Sequence, residues 1–199
     1  MNRTYLHALG IVNALGEDTA SVRKGLYAGS TAGMRERTDL VAGRSVWVGE
    51  VTMDLPPIEA GMGVYESRNN RLLRAAIAQI RPEIDAAVAR HGADRIGIVL
   101  GTSTAGIGEG ELAVAALLAD GAFPASYDYR QQEISSPSEY LRRALKTGGP
   151  AWTVSTACTS SAKVLSSARR LLDTGLCDAV IVGGVDSLCR LTLNGFAAL

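Results

Sequence analysis

Two short, uninterrupted apolar runs constrain the fold of this chain most: RIGIVLG at residues 95–101 and AVIV at residues 179–182. Both are rich in β-branched residues. Neither alternates between apolar and polar positions, as a strand with one solvent-exposed face does. Strands that are apolar on both faces are typical of sheets covered by helices on both sides. The sequence therefore predicts an α/β protein with a mostly parallel sheet.

Helical patterns alternate with these strand patterns along the chain. The clearest helix spans residues 162–174, where apolar side chains recur at helical spacing and charged ones lie off that stripe. Pro82 is predicted to kink or restart a helix over residues 67–89. The other predicted helices cover residues 18–28, 109–119 and 138–146, and the other predicted strands cover residues 5–12, 43–55 and 151–155.

Composition argues against several classes of function. The chain has 20 Lys plus Arg and 20 Asp plus Glu, so it lacks the basic excess typical of nucleic-acid binding. Neither a signal peptide nor an apolar run of about 18 residues is present, so a soluble, cytoplasmic protein without a membrane span is expected. Cys158, Cys177 and Cys189 form no C-x-x-C motif, and they indicate neither a zinc site nor a disulfide framework.

Residues 153–165, TVSTACTSSAKVL, place Cys158 among small residues between a predicted strand and a predicted helix. The free N–H groups and the dipole of a helix N-terminus favour a thiolate, and they can also bind the oxyanion formed when a thioester is attacked. A free cysteine in such a turn can equally be a small buried side chain. The sequence pattern alone does not decide whether Cys158 is a nucleophile or a small buried side chain.

Several segments together resemble one enzyme family. GPAWTVSTACTSSAKVL resembles the active-site segment of the β-ketoacyl-acyl-carrier-protein synthases, in which S-x-A-C-x-[ST]-[SA] surrounds the acylated cysteine. ALGIVNALG with VRKGLYAGSTAGM, RIGIVLGTSTAG, CDAVIVGGVDS and NGFAAL resemble further segments of that family in the same order. The resemblance covers essentially the whole chain. It implies a thiolase-like fold, namely one βαβαβαββ half with a mixed, mostly parallel sheet covered by helices on both faces.

The resemblance also implies a reaction, a decarboxylating Claisen condensation without a metal or redox cofactor. Cys158 would take an acyl group from acyl carrier protein, and the carbanion formed from a malonyl-carrier thioester would attack that acyl group. The SRNNRLL stretch resembles ketosynthases that serve specialised polyene lipids. The residues expected to line the substrate pocket are Thr156, Ala157, Thr159, Gly101 and Thr102.

Three arginines and one strand are the expected contacts with partners. Arg68, Arg71 and Arg74 share a face early in a predicted helix, where relatives bind the acidic carrier protein. A solvated helix face is the alternative interpretation of these arginines. Relatives dimerise through the strand that leads into the cysteine turn, here residues 151–155. We therefore expect a homodimer or a ketosynthase-like heterodimer.

Members of the family are roughly twice as long as this chain, and their second half supplies two histidines and a lysine to the active site. Here the only histidines are His7 and His91, and neither lies in a segment that matches those positions. Both are expected to have structural roles. We therefore expect residues 1–199 to be an N-terminal, thiolase-like half that is incomplete for condensation.

Three alternative functions are less well supported by the sequence. GTSTAGIGEG at residues 101–110 follows a strand, but it lacks G-K-[ST] and G-x-G-x-x-G, which argues against nucleotide binding. A thiolase-fold enzyme acting on coenzyme A thioesters would need a second catalytic cysteine, and neither Cys177 nor Cys189 matches one. A non-catalytic partner of the chain-length-factor kind would replace the nucleophile, so the presence of Cys158 argues against it, while the missing catalytic histidines leave it open.

Overall fold

A computed structural model describes residues 3–199, and a three-stranded parallel sheet lies at its centre. The strands are β1 (Met34–Arg37), β2 (Val46–Gly49), β3 (Ile96–Gly101), β4 (Ala151–Val154) and β5 (Ala179–Gly184). The order in the central sheet is β4-β3-β5, with Ile98 of β3 opposite Ala151 of β4 and opposite Ile181 of β5. Strands β1 and β2 form a separate antiparallel pair.

Helices cover both faces of the central sheet. They are α1 (Thr19–Tyr27), α2 (Arg68–Ala78), α3 (Arg81–His91), α4 (Ile107–Asp120), α5 (Ser136–Leu145), α6 (Ser160–Asp173) and α7 (Arg190–Ala197). Helix α6 packs on one face, while α2, α3 and α5 contribute to the core on the other face. Parallel strands with helices on both sides confirm the predicted α/β class.

Strand β3 supplies side chains to both cores because successive residues of a strand point to opposite faces. Ile98 and Leu100 join the core that contains Tyr140 and Leu141 of α5. Val99 points the other way and packs with residues of α6 and with Cys177. All six residues of β3 are buried, as the apolar run RIGIVLG predicts.

Two glycines on the α6 side of β3 let the helix lie close to the sheet. A Cβ atom at Gly97 would stand 2.8 Å from the sulfur of Cys177 and 3.3 Å from Leu171 Cδ1. At Gly101 it would stand 2.8 Å from the carbonyl carbon of Ser160 in the first turn of α6. The two distances of 2.8 Å are shorter than van der Waals contact allows, so this packing depends on glycine at both positions.

Helix ends follow the sequence signals closely. Asp18 caps α1 by accepting a hydrogen bond from the N–H of Ser21 at 2.7 Å, and the helix ends before Gly29, which has a φ of 59°. The predicted helix over residues 67–89 is interrupted between Ala78 and Arg81, and Pro82 lies in the first turn of α3. The prediction that Pro82 restarts the helix is therefore confirmed.

The strand prediction for residues 5–12 was wrong. This segment has no regular secondary structure and pairs with no described strand, and Tyr5, Leu6 and Leu9 are largely exposed. Its anchor is the side chain of Gln79, whose amide accepts from the N–H of Ile11 at 3.2 Å and donates to the carbonyl of Ile11 at 3.0 Å. Apolar composition does not make a strand where no neighbouring backbone is in register.

Other local predictions need smaller corrections. His7, expected to be a structural histidine within that strand, is exposed. The strand predicted over residues 43–55 is only four residues long, as β2. Its partner β1 and the C-terminal helix α7 were not predicted. The β1–β2 pair is linked to α7 because the Asn194 side chain donates to the carbonyl of Leu40 at 3.0 Å.

We predict that Gly97→Ala lowers the free energy of unfolding by about 1–3 kcal/mol, because the added methyl group overpacks the interface between β3 and α6. Urea denaturation should show a lower midpoint with an unchanged slope. Gly63→Ala is the matched control, since no atom lies within 4 Å of a Cβ built there. Equal midpoints for the two variants would contradict the packing argument.

Candidate active site

Cys158 lies in the tight turn between β4 and α6. Ala157, immediately before it, has a left-handed backbone with a φ of 52°, which is uncommon for a residue with a Cβ. The cysteine is exposed, whereas Cys177 and Cys189 are buried. The structure therefore presents only one of the three thiols to solvent.

The turn around Cys158 is held by hydroxyl groups that follow it. Ser160 Oγ accepts from the N–H of Thr156 at 2.9 Å and donates to the carbonyl of Ala157 at 2.7 Å. Thr159 Oγ1 donates to the carbonyl of Thr156 at 2.9 Å. These bonds close the turn from both sides and offset the strain of the left-handed residue. The small polar residues of TACTSS thus shape the backbone that carries the thiol.

The turn lies where the carboxyl ends of the three parallel strands meet. The backbone of Ser160 packs on Gly101 at the end of β3, and a Cβ at Gly184 would stand 1.8 Å from Ser161 Oγ. The N–H of Val185 donates to the carbonyl of Gly101 at 3.0 Å, which ties the ends of β3 and β5 together. Ligand sites in open α/β sheets commonly lie at this edge.

Cys158 lies at the N-terminal end of α6. It precedes the N-cap residue Thr159 of α6, a helix of 14 residues with no acidic side chain in its first turn. The N–H of Cys158 makes no hydrogen bond to any of residues 3–199 and remains available to an incoming oxygen. The positive end of the helix and this free donor can both interact with an oxyanion.

The loop after β3 is organised by Asp186, which the sequence analysis did not single out. Asp186 Oδ1 accepts from Thr102 Oγ1 at 3.0 Å, from the N–H of Ser103 at 2.7 Å and from the N–H of Thr104 at 3.1 Å. The hydroxyl of Thr104 in turn accepts from the N–H of Ser187 at 3.0 Å. An aspartate just after β5 therefore fixes the loop that leads into α4.

The five predicted pocket residues fall into two groups. Thr156, Ala157 and Thr159 are exposed in the Cys158 turn, and their contact with an acyl group stays a prediction. Gly101 and Thr102 are buried behind that turn, and the hydroxyl of Thr102 is occupied by Asp186. The structure therefore brings all five to one end of the sheet, with Gly101 and Thr102 in supporting positions.

The three predicted docking arginines differ in how free their charges are. Arg71 forms an ion pair with Glu66, and Arg74 forms one with Glu59 at 3.2 Å. Arg68 is exposed and donates to a backbone carbonyl rather than to a carboxylate. The docking surface stays a prediction, and Arg68 is the arginine of the three that best fits it.

An apolar groove of about 630 Å³ lies between α4 and α7. It is lined by Ile107, Gly110, Glu111, Val114, Gln132, Arg190, Leu191, Asn194 and Gly195. The two helices follow the loops that leave β3 and β5. The first residues of α6, directly after the Cys158 turn, contact the ends of these two strands.

Residues 3–199 contain neither a candidate metal cluster nor a candidate membrane-spanning helix. No group of three or more His, Cys, Asp or Glu side chains in this range is arranged to hold a metal ion. No helix in the same range is long and apolar enough to cross a membrane.

Comparison with known families agrees with the resemblance in the sequence. Residues 78–199 match the family model described as the N-terminal domain of β-ketoacyl synthase. A segment of 54 residues is 43% identical to 3-oxoacyl-[acyl-carrier-protein] synthase 2 of Rhizobium meliloti (strain 1021), covering 27% of this chain and 13% of the relative.

Solved structures match nearly the whole chain. A chain of the complex between a ketosynthase and its chain length factor from Xenorhabdus doucetiae is 42% identical, with a TM-score of 0.93 over 98% of this chain and 49% of its own length. A β-ketoacyl synthase from Burkholderia phymatum STM815 is 18% identical with a TM-score of 0.75 over 96% of this chain and 48% of its own, which shows the fold alone. The predicted thiolase-like fold is confirmed, and this chain spans about half the length of these structures.

We predict that iodoacetamide modifies one thiol per folded chain, at Cys158, because the relative exposure of both Cys177 and Cys189 is 2%. Intact mass should show a single adduct, which Cys158→Ser should abolish. In concentrated urea the native sequence should gain three adducts and the variant two. Modification of Cys177 or Cys189 in the folded protein would contradict the described burial.

Proposed function

The chain belongs to the β-ketoacyl synthase family, and from this premise we propose that it takes part in acyl-chain elongation with Cys158 as the acyl-accepting nucleophile. The observation that carries the proposal is the exposed Cys158 thiol at the start of α6, beside a free backbone N–H. The reaction is a condensation in which malonyl-carrier thioester loses carbon dioxide and extends the acyl chain by two carbons. The acyl chain belongs to a fatty acid or to a polyene- or polyketide-type lipid.

Acyl transfer is the step to which the described residues contribute directly. The thiolate of Cys158 attacks the carbonyl carbon of an acyl-carrier thioester and forms a tetrahedral oxyanion. The N–H of Cys158 is placed to bind that oxyanion, and the α6 dipole stabilises its charge. Collapse of the intermediate breaks the carbon–sulfur bond to the carrier, whose thiolate leaves and takes up a proton. The acyl group then remains on Cys158 as a thioester.

Residues 1–199 are proposed to act as the N-terminal half of the enzyme. In the family the decarboxylation groups, two histidines and a lysine, come from the second half. Here His91 lies at the end of α3, with 4.0 Å between His91 Nδ1 and the carboxylate of Asp178, and we assign it no role in the reaction. The half described here supplies the nucleophile, and the groups for carbanion formation lie outside it.

The acyl chain is proposed to lie in the groove between α4 and α7. The Cys158 turn contacts the ends of β3 and β5 through Gly101 and Gly184, and the helices that follow these two strands form the groove walls. Ile107, Val114 and Leu191 give those walls an apolar surface suited to a hydrocarbon chain. The groove walls thus follow the two strands whose ends the start of α6 contacts, and this connection supports binding of the acyl chain there.

Acyl carrier protein is the proposed donor, and a related chain is the proposed partner. Arg68 offers an exposed positive charge to an acidic carrier surface. Strand β4 is an edge strand with Trp152 partly exposed, so it can pair with the same strand of a second subunit. A homodimer and a heterodimer both fit this geometry, and the Xenorhabdus doucetiae complex pairs a ketosynthase with a chain length factor.

A catalytic role fits the site better than the role of a non-catalytic partner. A subunit that only shapes the pocket has no need for an exposed thiol in a turn held by Ser160 and Thr159. The alternative of a coenzyme A thiolase is also less well supported, because Cys177 is buried against β3 and Cys189 is buried beside Thr192. Neither is available as a second catalytic cysteine.

We predict that the protein expressed from its own gene gains the mass of one acyl group when it is incubated with an acyl-carrier thioester. Cys158→Ser should lose this adduct, because a hydroxyl is a far weaker nucleophile than a thiolate at neutral pH. Ser166→Ala, an exposed position on the same helix, is the matched control and should keep it. An adduct that persists in Cys158→Ser would contradict the assignment of the nucleophile.

We predict that Arg68→Ala raises the KM for the carrier-bound substrate by roughly three- to ten-fold and leaves kcat nearly unchanged, because it removes an exposed charge from a docking surface. The effect should shrink as ionic strength rises. Arg81→Ala is the matched control, because Arg81 is an exposed arginine at the start of the next helix. Equal KM values for these two variants would remove the support for docking at α2.

A further inference from the structure

Helix α7 is capped at its N-terminus by a side chain from another helix. Its own N-cap residue, Cys189, makes no side-chain capping bond, and its first turn has no acidic residue. Instead, Glu111 of α4 accepts from the N–H of Arg190 at 2.9 Å and from the N–H of Leu191 at 2.7 Å. One carboxylate therefore satisfies the first two amides of α7 and joins the two helices.

Glu111 also lines the groove whose walls are α4 and α7. Arg190 and Leu191, the two residues that it binds, line the same groove, as does Gly195 one turn further along α7. The two hydrogen bonds thus hold the wall formed by α7 at a fixed distance from the wall formed by α4. Charge-assisted bonds of this kind are stronger than bonds between neutral groups, and the α7 dipole adds to them.

We infer that Glu111 is a positioning residue that sets the width of the α4–α7 groove and thereby determines which acyl chains the enzyme accepts. The inference rests on the proposed function, because it needs an acyl chain on Cys158 that enters this groove. Glu111 itself touches neither the thiol nor the reacting carbonyl. Its influence on the reaction runs through the placement of α7.

Gly195 provides an independent test of the groove as the specificity site. A Cβ built at Gly195 has no atom within 4 Å, so alanine fits there without moving the protein. Its methyl group would occupy space in the groove. Gly110, on the opposite wall, offers no such test, because a Cβ there would stand 2.0 Å from Gln132 Oε1.

The experiment measures acylation of Cys158 by a butanoyl and by a dodecanoyl thioester of acyl carrier protein, using the protein expressed from its own gene. The chain-length ratio is the larger of the two kcat/KM values divided by the smaller. Glu111→Ala should reduce this ratio by roughly five- to ten-fold, because an α7 helix that is free to move discriminates poorly between acyl chains. Glu111→Gln keeps one carbonyl acceptor and should change the ratio less. A purely structural role would lower stability and leave this ratio as it was.

Gly195→Ala should lower kcat/KM for the dodecanoyl thioester by about ten-fold or more and affect the butanoyl thioester less, since even one methylene group in a pocket changes selectivity measurably. Gly108→Ala is the matched control, because it makes the same substitution in α4 at a position outside the groove lining, where a Cβ makes ordinary contact at 3.8 Å. The control should keep the native ratio of the two kcat/KM values.

The possible outcomes separate this inference from the proposed function. Acylation of Cys158 with unchanged chain-length ratios in Glu111→Ala and Gly195→Ala would overturn the inference and leave the nucleophile assignment intact. Failure of the native protein to accept either acyl group would contradict the proposed function itself. A changed ratio in Gly108→Ala as well would assign the selectivity to the start of α4 generally, and it would overturn the specific role of Glu111.

Discussion

Helix α6 packs against β3 at two glycines, Gly97 and Gly101, where side chains would otherwise separate the helix from the sheet. Between them Val99 meets Val164 in a core from which water is excluded, and both valines have a relative exposure of 0%. Burial of a valine contributes roughly 1.5–3 kcal/mol, so this contact fixes the helix firmly against the strand. The start of α6, and the thiol just before it, are therefore placed by the core and not by the exposed turn alone.

Asp186 extends that fixed arrangement from the strands to the loops beyond them. Asp186 follows β5 and accepts hydrogen bonds from the backbone N–H groups of Ser103 and Thr104, which follow β3. The loops after these two strands are therefore held together. The helices that follow, α4 and α7, then begin close together and are joined by Glu111. The glycines of β3 thus place the Cys158 turn, whereas Asp186 and Glu111 hold the loops and the groove.

Much of this arrangement is predictable from local sequence patterns, and the remainder depends on contacts between distant segments. The buried strands β3 and β5, the amphipathic helix α6 and the turn that carries Cys158 all have short-range signals, and the structure agrees with them. Residues 5–12 carry an equally apolar pattern but form no strand, because pairing needs a neighbouring backbone. The roles of Asp186 and Glu111 have no local signal, since each acts on amides about 80 residues away along the chain.

The contacts that hold the nucleophile and those that hold the groove are chemically separate, and this separation has a functional consequence. The Cys158 turn is fixed by hydroxyl and backbone groups of residues 156–160, none of which carries a charge. The wall formed by α7 is fixed by a carboxylate and by the contact of Asn194 with Leu40. A substitution in the groove can thus change which acyl chains are accepted while the thiol keeps its place. The selectivity for acyl chains and the reactivity of the Cys158 thiol can therefore change independently on the same fold.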